Sequence, residues 1–250
     1  MDDYEMKRNE IFSLTREFKF IKETAYLKPG NFSGDKMKYE SFIDSTFAQI
    51  TSKNSPNLII DLRNNLDGDN SFSDYLVSYL AKAPFKWTAE FTMKTSALLK
   101  DHVIKNYDIS TPYWASVLNH KDGTVFSYDF EESIPKPENK RYHGKVYVLI
   151  NRQTHSQSAV TAAQIQDYKL ATIVGEETGE FPSLFASQYT YKLPETGVAV
   201  IISKGHITRV NGSKKGEGVI PNIMLRDHLL DEQDEILTYL LEVIEAPTHD

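Results

Sequence analysis

Apolar and polar positions follow two different periods along this chain, and the switches between them mark out its elements. Around Phe18, Phe20 and Tyr26-Leu27 apolar residues alternate with polar ones, as in half-buried strands, with Glu23-Thr24 as a turn between them. From Lys36 to Thr51 the period lengthens: Tyr39, Phe42, Ile43, Phe47 and Ile50 fall at helical spacing and share one face. The apolar run Leu58-Ile59-Ile60-Asp61-Leu62 then predicts a buried parallel strand, and Phe72, Tyr75, Leu76, Tyr79 and Leu80 predict the helix after it. A strand near Trp87 to Met93 and a helix near Ser96 to Lys105 follow.

From Asp108 to Gly144 both periods lapse into an aromatic, polar stretch holding Pro112, Pro135 and Pro137, which reads as a long excursion over the surface. Lys145 to Ile150 resumes the buried-strand pattern, and Ser156 to Tyr168 predicts a helix with the small residues Ala159, Ala162 and Ala163. Strands are predicted at Thr172 to Val174, Gln188 to Leu193 and Val198 to Ser203, the last two joined by the turn Pro194-Glu195-Thr196-Gly197. Asp231 to Glu245 closes the chain as an amphipathic helix. Buried strands with helices between them predict an α/β fold: a parallel-rich sheet with helices on its faces.

Composition narrows the chemistry. With 28 Lys+Arg against 35 Asp+Glu, the net charge of -7 gives no global attraction for phosphate backbones, so nucleic acid is not an expected partner. The absence of Cys removes thiol nucleophiles, thiolate zinc sites and disulfides together. The apolar runs are far shorter than the ~20 residues of a membrane helix, so no transmembrane segment is expected, and Met1-Asp2-Asp3-Tyr4-Glu5 does not resemble a signal peptide. The seven histidines form no pair at metal-ligand spacing with carboxylates, and no metal or other cofactor is expected. Gly212-Ser213-Lys214-Lys215-Gly216 has the composition of a phosphate loop without its spacing and reads as a solvated hairpin.

Two strand-to-helix junctions carry candidate chemistry: Asp61 to Gly68, and Asn151-Arg152-Gln153-Thr154-His155-Ser156-Gln157-Ser158. Such junctions are where α/β folds place their sites. A hydroxyl at a helix start lies beside unpaired N–H groups and the positive end of the dipole, which would stabilise an oxyanion formed in acyl transfer. Ser156 is so placed, although on local sequence alone Ser156 or Ser158 reads first as a simple helix N-cap.

Four blocks, in order and spanning about 200 positions, resemble the S41 family of serine peptidases, the tail-specific or C-terminal processing proteases. They are Ala25-Tyr26-Leu27-Lys28-Pro29-Gly30-Asn31-Phe32, Leu58 to Gly68 with its Asp-Leu-Arg-Asn-Asn, Val146 to Glu176 with Thr154-His155-Ser156-Gln157-Ser158, and Gly216-Glu217-Gly218-Val219-Ile220-Pro221-Asn222. The resemblance implies a ClpP/crotonase-like spiral of strands and helices with a long surface insertion. It further implies a peptidase-like domain over residues 23–250 after a charged segment at residues 1–22, with no PDZ domain visible.

Carried over by position, the nucleophile is Ser156, and the oxyanion hole draws on N–H groups near Gly68 and Gln157. The lysine of the Ser-Lys branch has no counterpart, since its region reads Gly179-Glu180-Phe181-Pro182. The chain is closer to the tricorn-like and retinoid-binding-like branch: Glu217 matches that branch's glutamate, and the position resembling its histidine is Lys28. Lys28 could serve as a base only if its pKa were depressed, which Glu217 beside it would oppose, so a purely structural ion pair is the competing reading. His155 is an alternative base. Asp67 would place a carboxylate near developing negative charge.

The resemblance thus implies a serine-type peptidase cleaving peptide or protein substrates through an acyl-enzyme on Ser156, in the bacterial cell envelope or periplasm. The alternative is an inactive relative acting as a peptide- or ligand-binding module, with crotonase-like acyl-CoA chemistry as a weaker third. The sequence does not fix the oligomeric state, and the chain could be a catalytic fragment of a longer protein.

Overall fold

The structure is a computed structural model of the chain and describes residues 15–66, 68–228 and 232–246. Its strands are β1 (Glu17–Ile21), β2 (Thr24–Lys28), β3 (Asn57–Asp61), β4 (Glu90–Lys94), β5 (Val125–Tyr128), β6 (Lys145–Ile150), β7 (Thr172–Gly175), β8 (Phe185–Lys192), β9 (Ala199–Thr208) and β10 (Ile223–Met224). The helices are α1 (Lys36–Lys53), α2 (Asn70–Val77), α3 (Ala97–Asn106), α4 (Pro112–Asn119), α5 (Gln157–Asp167) and α6 (Glu235–Glu245). They fall into two compact units. The first comprises the described residues of 15–87, 132–182 and 216–246, and the second residues 88–131 and 183–215.

The first unit is built on a six-stranded sheet in the order β1-β2-β3-β6-β7-β10. Its β2, β3, β6, β7 and β10 run parallel, and β1 pairs antiparallel with β2 through a tight turn at Lys22 (φ 54°). Period-two alternation decides what each face meets. Ala25, Leu27, Leu58, Ile60, Val146, Val148 and Ile150 pack with residues of α1, α2 and α5, whereas Tyr26, Ile59, Leu149 and Val174 pack with Ile236 and Leu240 of α6. Asp35 N-caps α1 by accepting from Lys38 N at 3.1 Å, and Asn54 ends it in the left-handed conformation. Ala159, Ala162 and Ala163 let α5 sit against the sheet with residues 157–165 all buried.

The second unit is an antiparallel sheet in the order β5-β4-β9-β8, which the sequence reading did not separate from the parallel one. Tyr113, Tyr128, Phe130 and Phe91 form its aromatic cluster, with ring centroids 4.9–6.3 Å apart. The stretch expected to run over the surface, residues 108–144, does so, with Val117 as its one buried residue, and it also contains α4, β5 and a 3₁₀ turn at Glu138–Lys140. These elements were illegible because α4 and β5 are each no more than eight residues long, too short to establish a period. The Gly212 hairpin is corrected, because no strand follows β9 until β10 and the segment is a loop. The closing helix starts at Glu235, behind its N-cap Asp234.

Candidate active site

The loops leaving β2, β3, β6 and β7 all rise from the C-terminal ends of neighbouring parallel strands and are cross-linked by their own polar side chains. Asn65 donates to the carbonyl of Gly30 at 2.6 Å, and Leu66 N donates to Asn31 Oδ1 at 3.2 Å. Asn64 and Asn151 exchange bonds, Asn64 N to Asn151 Oδ1 at 3.2 Å and Asn151 Nδ2 to Asn64 Oδ1 at 3.0 Å. Thr154, wholly buried, donates from Oγ1 to Leu62 O at 3.0 Å, and His155 N donates to Asn65 O at 3.0 Å. The amide-rich motifs are therefore mortar between strand ends, and at the carbonyls of Gly30 and Leu62 they satisfy backbone groups that burial would otherwise leave costly.

This scaffold delivers Ser156 to the start of α5 at φ 50°, ψ -129°, a conformation that costs a non-glycine residue about 1–3 kcal/mol. Its hydroxyl makes no capping bond to the helix, so the N-cap reading does not account for it. Ser158 is wholly buried inside α5 and has no outlet for its hydroxyl. Gln157 ties its side chain to Ser73 Oγ at 2.9 Å, while its own N–H, at the first turn, enters no hydrogen bond with the described residues. Gly68 forms a parallel bridge with Phe32, and a Cβ there would lie 2.6 Å from the Phe32 carbonyl oxygen, so only glycine fits. Asp67 lies outside the described residues.

The loop after β7 closes over the nucleophile loop. A Cβ on Gly179 would lie 2.7 Å from Cε1 of His155, which places that ring against Gly179. Thr178 Oγ1 donates to Glu180 O and accepts from Val219 N, both at 2.8 Å, and Glu177 Oε1 accepts from Gly218 N at 2.8 Å. These bonds hold the backbone carrying Glu217 alongside the loop. The same loop brings in a group the sequence reading missed: Glu180 Oε2 accepts from Ser156 N at 2.6 Å. The signal was visible as the acid preceding Phe181, in the region that corresponds to the lysine of the Ser-Lys branch, but only the fold brings it to the Ser156 amide. Phe181 is 45 % exposed.

Lys28 ends β2, half-buried, and its charge helps hold the Asp234 carboxyl low. It forms no hydrogen bond or ion pair with Ser156 or Glu217 among the described residues. Asp234, itself partly exposed, joins the buried pair Asp61 and Arg63 from the first half of the Asp-Leu-Arg-Asn-Asn motif. Arg63 grips Asp61 (Nε to Oδ1 3.0 Å, Nη2 to Oδ2 2.8 Å) and Asp234 (2.7 Å from each of two nitrogens), and Tyr26 donates to Asp61 at 2.6 Å. Burial would lower the Arg63 pKa, yet the bonds to Asp234 and Asp61 raise it. Arg152 pairs with Glu176 at 2.6 Å, and these two with Glu177, Thr178, Met224 and Arg226 line a cavity of ≈ 380 Å³.

Among the described residues no group of three or more His, Asp or Glu could hold a metal ion, and no helix is long and apolar enough to cross a membrane. The sequence profile of peptidase family S41 matches residues 23–225. No curated protein is significantly similar in sequence. Among solved structures, the "putative peptidase" of Parabacteroides merdae ATCC 43184 superposes with a TM-score of 0.63 at 18 % identity, over 98 % of this chain and 70 % of that one. Mature CPAF gives 0.58 at 21 % over 81 % and 46 %, and the photosystem II D1 C-terminal processing protease 0.54 at 19 % over 87 % and 46 %. The chain thus spans under half the length of the latter two, and at these identities the likeness is one of fold.

Proposed function

Because the chain belongs to peptidase family S41, we propose that it is a serine-type peptidase acting through an acyl-enzyme on Ser156. One observation carries the reading: Ser156 is held in a strained conformation at the start of α5, its hydroxyl not used as a cap, beside the unengaged N–H of Gln157. In this mechanism Ser156 Oγ attacks the peptide carbonyl and gives its proton to a base. The amides of Gln157 and Gly68 hold the oxyanion, the base returns the proton to the leaving amine, and water releases the acyl group. We assign the base to Lys28, with Glu217 balancing its charge and His155 as the substitute, on the resemblance alone, since Lys28 bonds neither Ser156 nor Glu217 among the described residues. We further propose that it works in the bacterial cell envelope or periplasm on peptide or protein substrates, a reading that family membership supports.

The test is hydrolysis of a mixed fluorogenic peptide library by the chain and by Ser156→Ala. Cleavage that disappears in the variant supports the reading, and cleavage that persists contradicts it.

A second reading rests on Glu180. A carboxylate at the nucleophile's own amide opposes negative charge developing there, which suits an inactive scaffold that binds peptides without cutting them. Saturable peptide binding with no turnover, unchanged in Ser156→Ala, would favour it.

A further inference from the structure

The second unit contains a buried cation without an anion. Lys204 on β9 is only 6 % exposed, and among the described residues no Asp or Glu pairs with it. Its ammonium takes one good hydrogen bond, 2.8 Å to the Tyr107 hydroxyl, and two long ones of 3.5 Å, to Ser187 Oγ and Gln188 O. Aromatic rings complete its surroundings, with centroids of Tyr107, Trp114 and Tyr189 at 5.0, 5.7 and 5.9 Å. Rings attract a cation through their faces but leave its N–H groups short of acceptors.

A second unsatisfied donor belongs to the same cage. His102 on α3 stacks on Tyr189 (4.4 Å) and meets Tyr107 edge-on (5.6 Å), so it shares two of the walls around Lys204. The Asn106 Nδ2 group donates to His102 O at 2.8 Å, which fixes it as the amide nitrogen, and the same group reaches His102 Nδ1 at 3.2 Å. Nδ1 must therefore accept, and the proton of the neutral ring sits on Nε2, a buried atom with no partner. Asp101, the nearest acid that acts on this ring, is paired with Lys105 at 2.7 Å.

Two under-satisfied donors that share the walls Tyr107 and Tyr189, with no acid paired to either among the described residues, form the complement of a carboxylate, whose two oxygens can each accept from a donor. We propose that the second unit binds a carboxylate between Lys204 and His102. Tyr107, which follows α3 and is 36 % exposed, is the group that yields its place on the ammonium.

The proposal is tested by titrating sodium acetate into the full chain at constant ionic strength and following the part of the tryptophan fluorescence that Trp114→Phe removes. A saturable response is expected, weakened at least about tenfold in Lys204→Met and within about threefold of the parent in Lys204→Arg. Should Lys204→Met not fold, His102→Phe, which keeps the stack and loses the N–H, must weaken acetate at least about threefold. A response that never saturates, one indifferent to these variants, or tighter binding of sulfate than acetate overturns the assignment. Peptides ending in a free carboxylate, compared with amidated peptides carrying an internal Glu, separate the two sources of the carboxylate.

Discussion

The two halves of the Asp-Leu-Arg-Asn-Asn motif do opposite work. In the first half, charge is fully paired: Arg63 spans Asp61 and Asp234 and so ties β3 to the N-cap of α6, on the sheet face away from α5. In the second half there is no ion pair. Asn64 and Asn65 lace three loops together so that the Ser156 backbone can be held where it would not rest alone. A resemblance in sequence spans both halves alike. The structure separates them: saturated electrostatics stabilise the fold, while stored backbone strain with an unengaged amide marks the place for chemistry.

That contrast can be broken from either side. The largest effect is expected in the second half. Ser156→Ala should lower peptide hydrolysis by at least about 10⁴-fold while leaving urea stability within about 0.5 kcal/mol of the parent. In the first half, Arg63→Met should do the reverse. It strands Asp61 and Asp234 without their cation and should cost about 3–5 kcal/mol in urea unfolding, with turnover per folded molecule nearly unchanged. Equal effects of both variants on both readouts would erase the distinction.

Glu180 sharpens the comparison at an intermediate scale. If its carboxylate positions Ser156 through the amide, Glu180→Gln keeps an acceptor and stays within about threefold of the parent, whereas Glu180→Ala falls about tenfold in kcat with the pH profile unmoved. A loss in Glu180→Gln as large as in Glu180→Ala, accompanied by a shifted acid limb, would instead make Glu180 the base in place of Lys28.

The smallest effects are in pH dependence, and their signs differ. Burial alone would raise the Asp234 carboxyl, but the Arg63 bonds, the Leu237 amide and the Arg63 charge bring it below its ordinary value. A group depressed on folding contributes stability that is present above the unfolded value of about 3.9 and is lost as pH falls through the folded one. With the side chain partly exposed, this amounts to no more than about 1 kcal/mol. Asp74, raised by burial despite its bonds to Gln164 and Ser133, acts oppositely: it favours folding at acid pH and loses that contribution as pH rises. Urea midpoints between pH 3 and 7 should therefore flatten on the acid side in Asp234→Asn and on the neutral side in Asp74→Asn.

Much of the first unit was legible in the sequence because its strands are buried on both faces. Leu58 to Ile60 and Val146 to Ile150 announce themselves as apolar runs, and the helices between them have long, regular faces. The second unit was not, since β8 alternates imperfectly and β9 runs five residues beyond its apolar stretch, through Lys204 to Thr208. The position of Ser156 could be inferred from the chain order of its motif. Glu180 could not, because its contact depends on the loop pinned by Thr178 to Val219, 41 residues away in sequence. The same holds for Lys204, whose lack of an acid partner is a property of the folded surroundings.

The most direct test of Ser156 as the activated hydroxyl is covalent labelling with a fluorophosphonate, located by peptide mass spectrometry. A single adduct on the peptide holding Thr154 to Ile165, fragmenting to Ser156 and missing in Ser156→Ala, is the predicted result. Labelling on Ser158 or on a serine elsewhere, or no adduct across the pH range in which the chain stays folded, would contradict it.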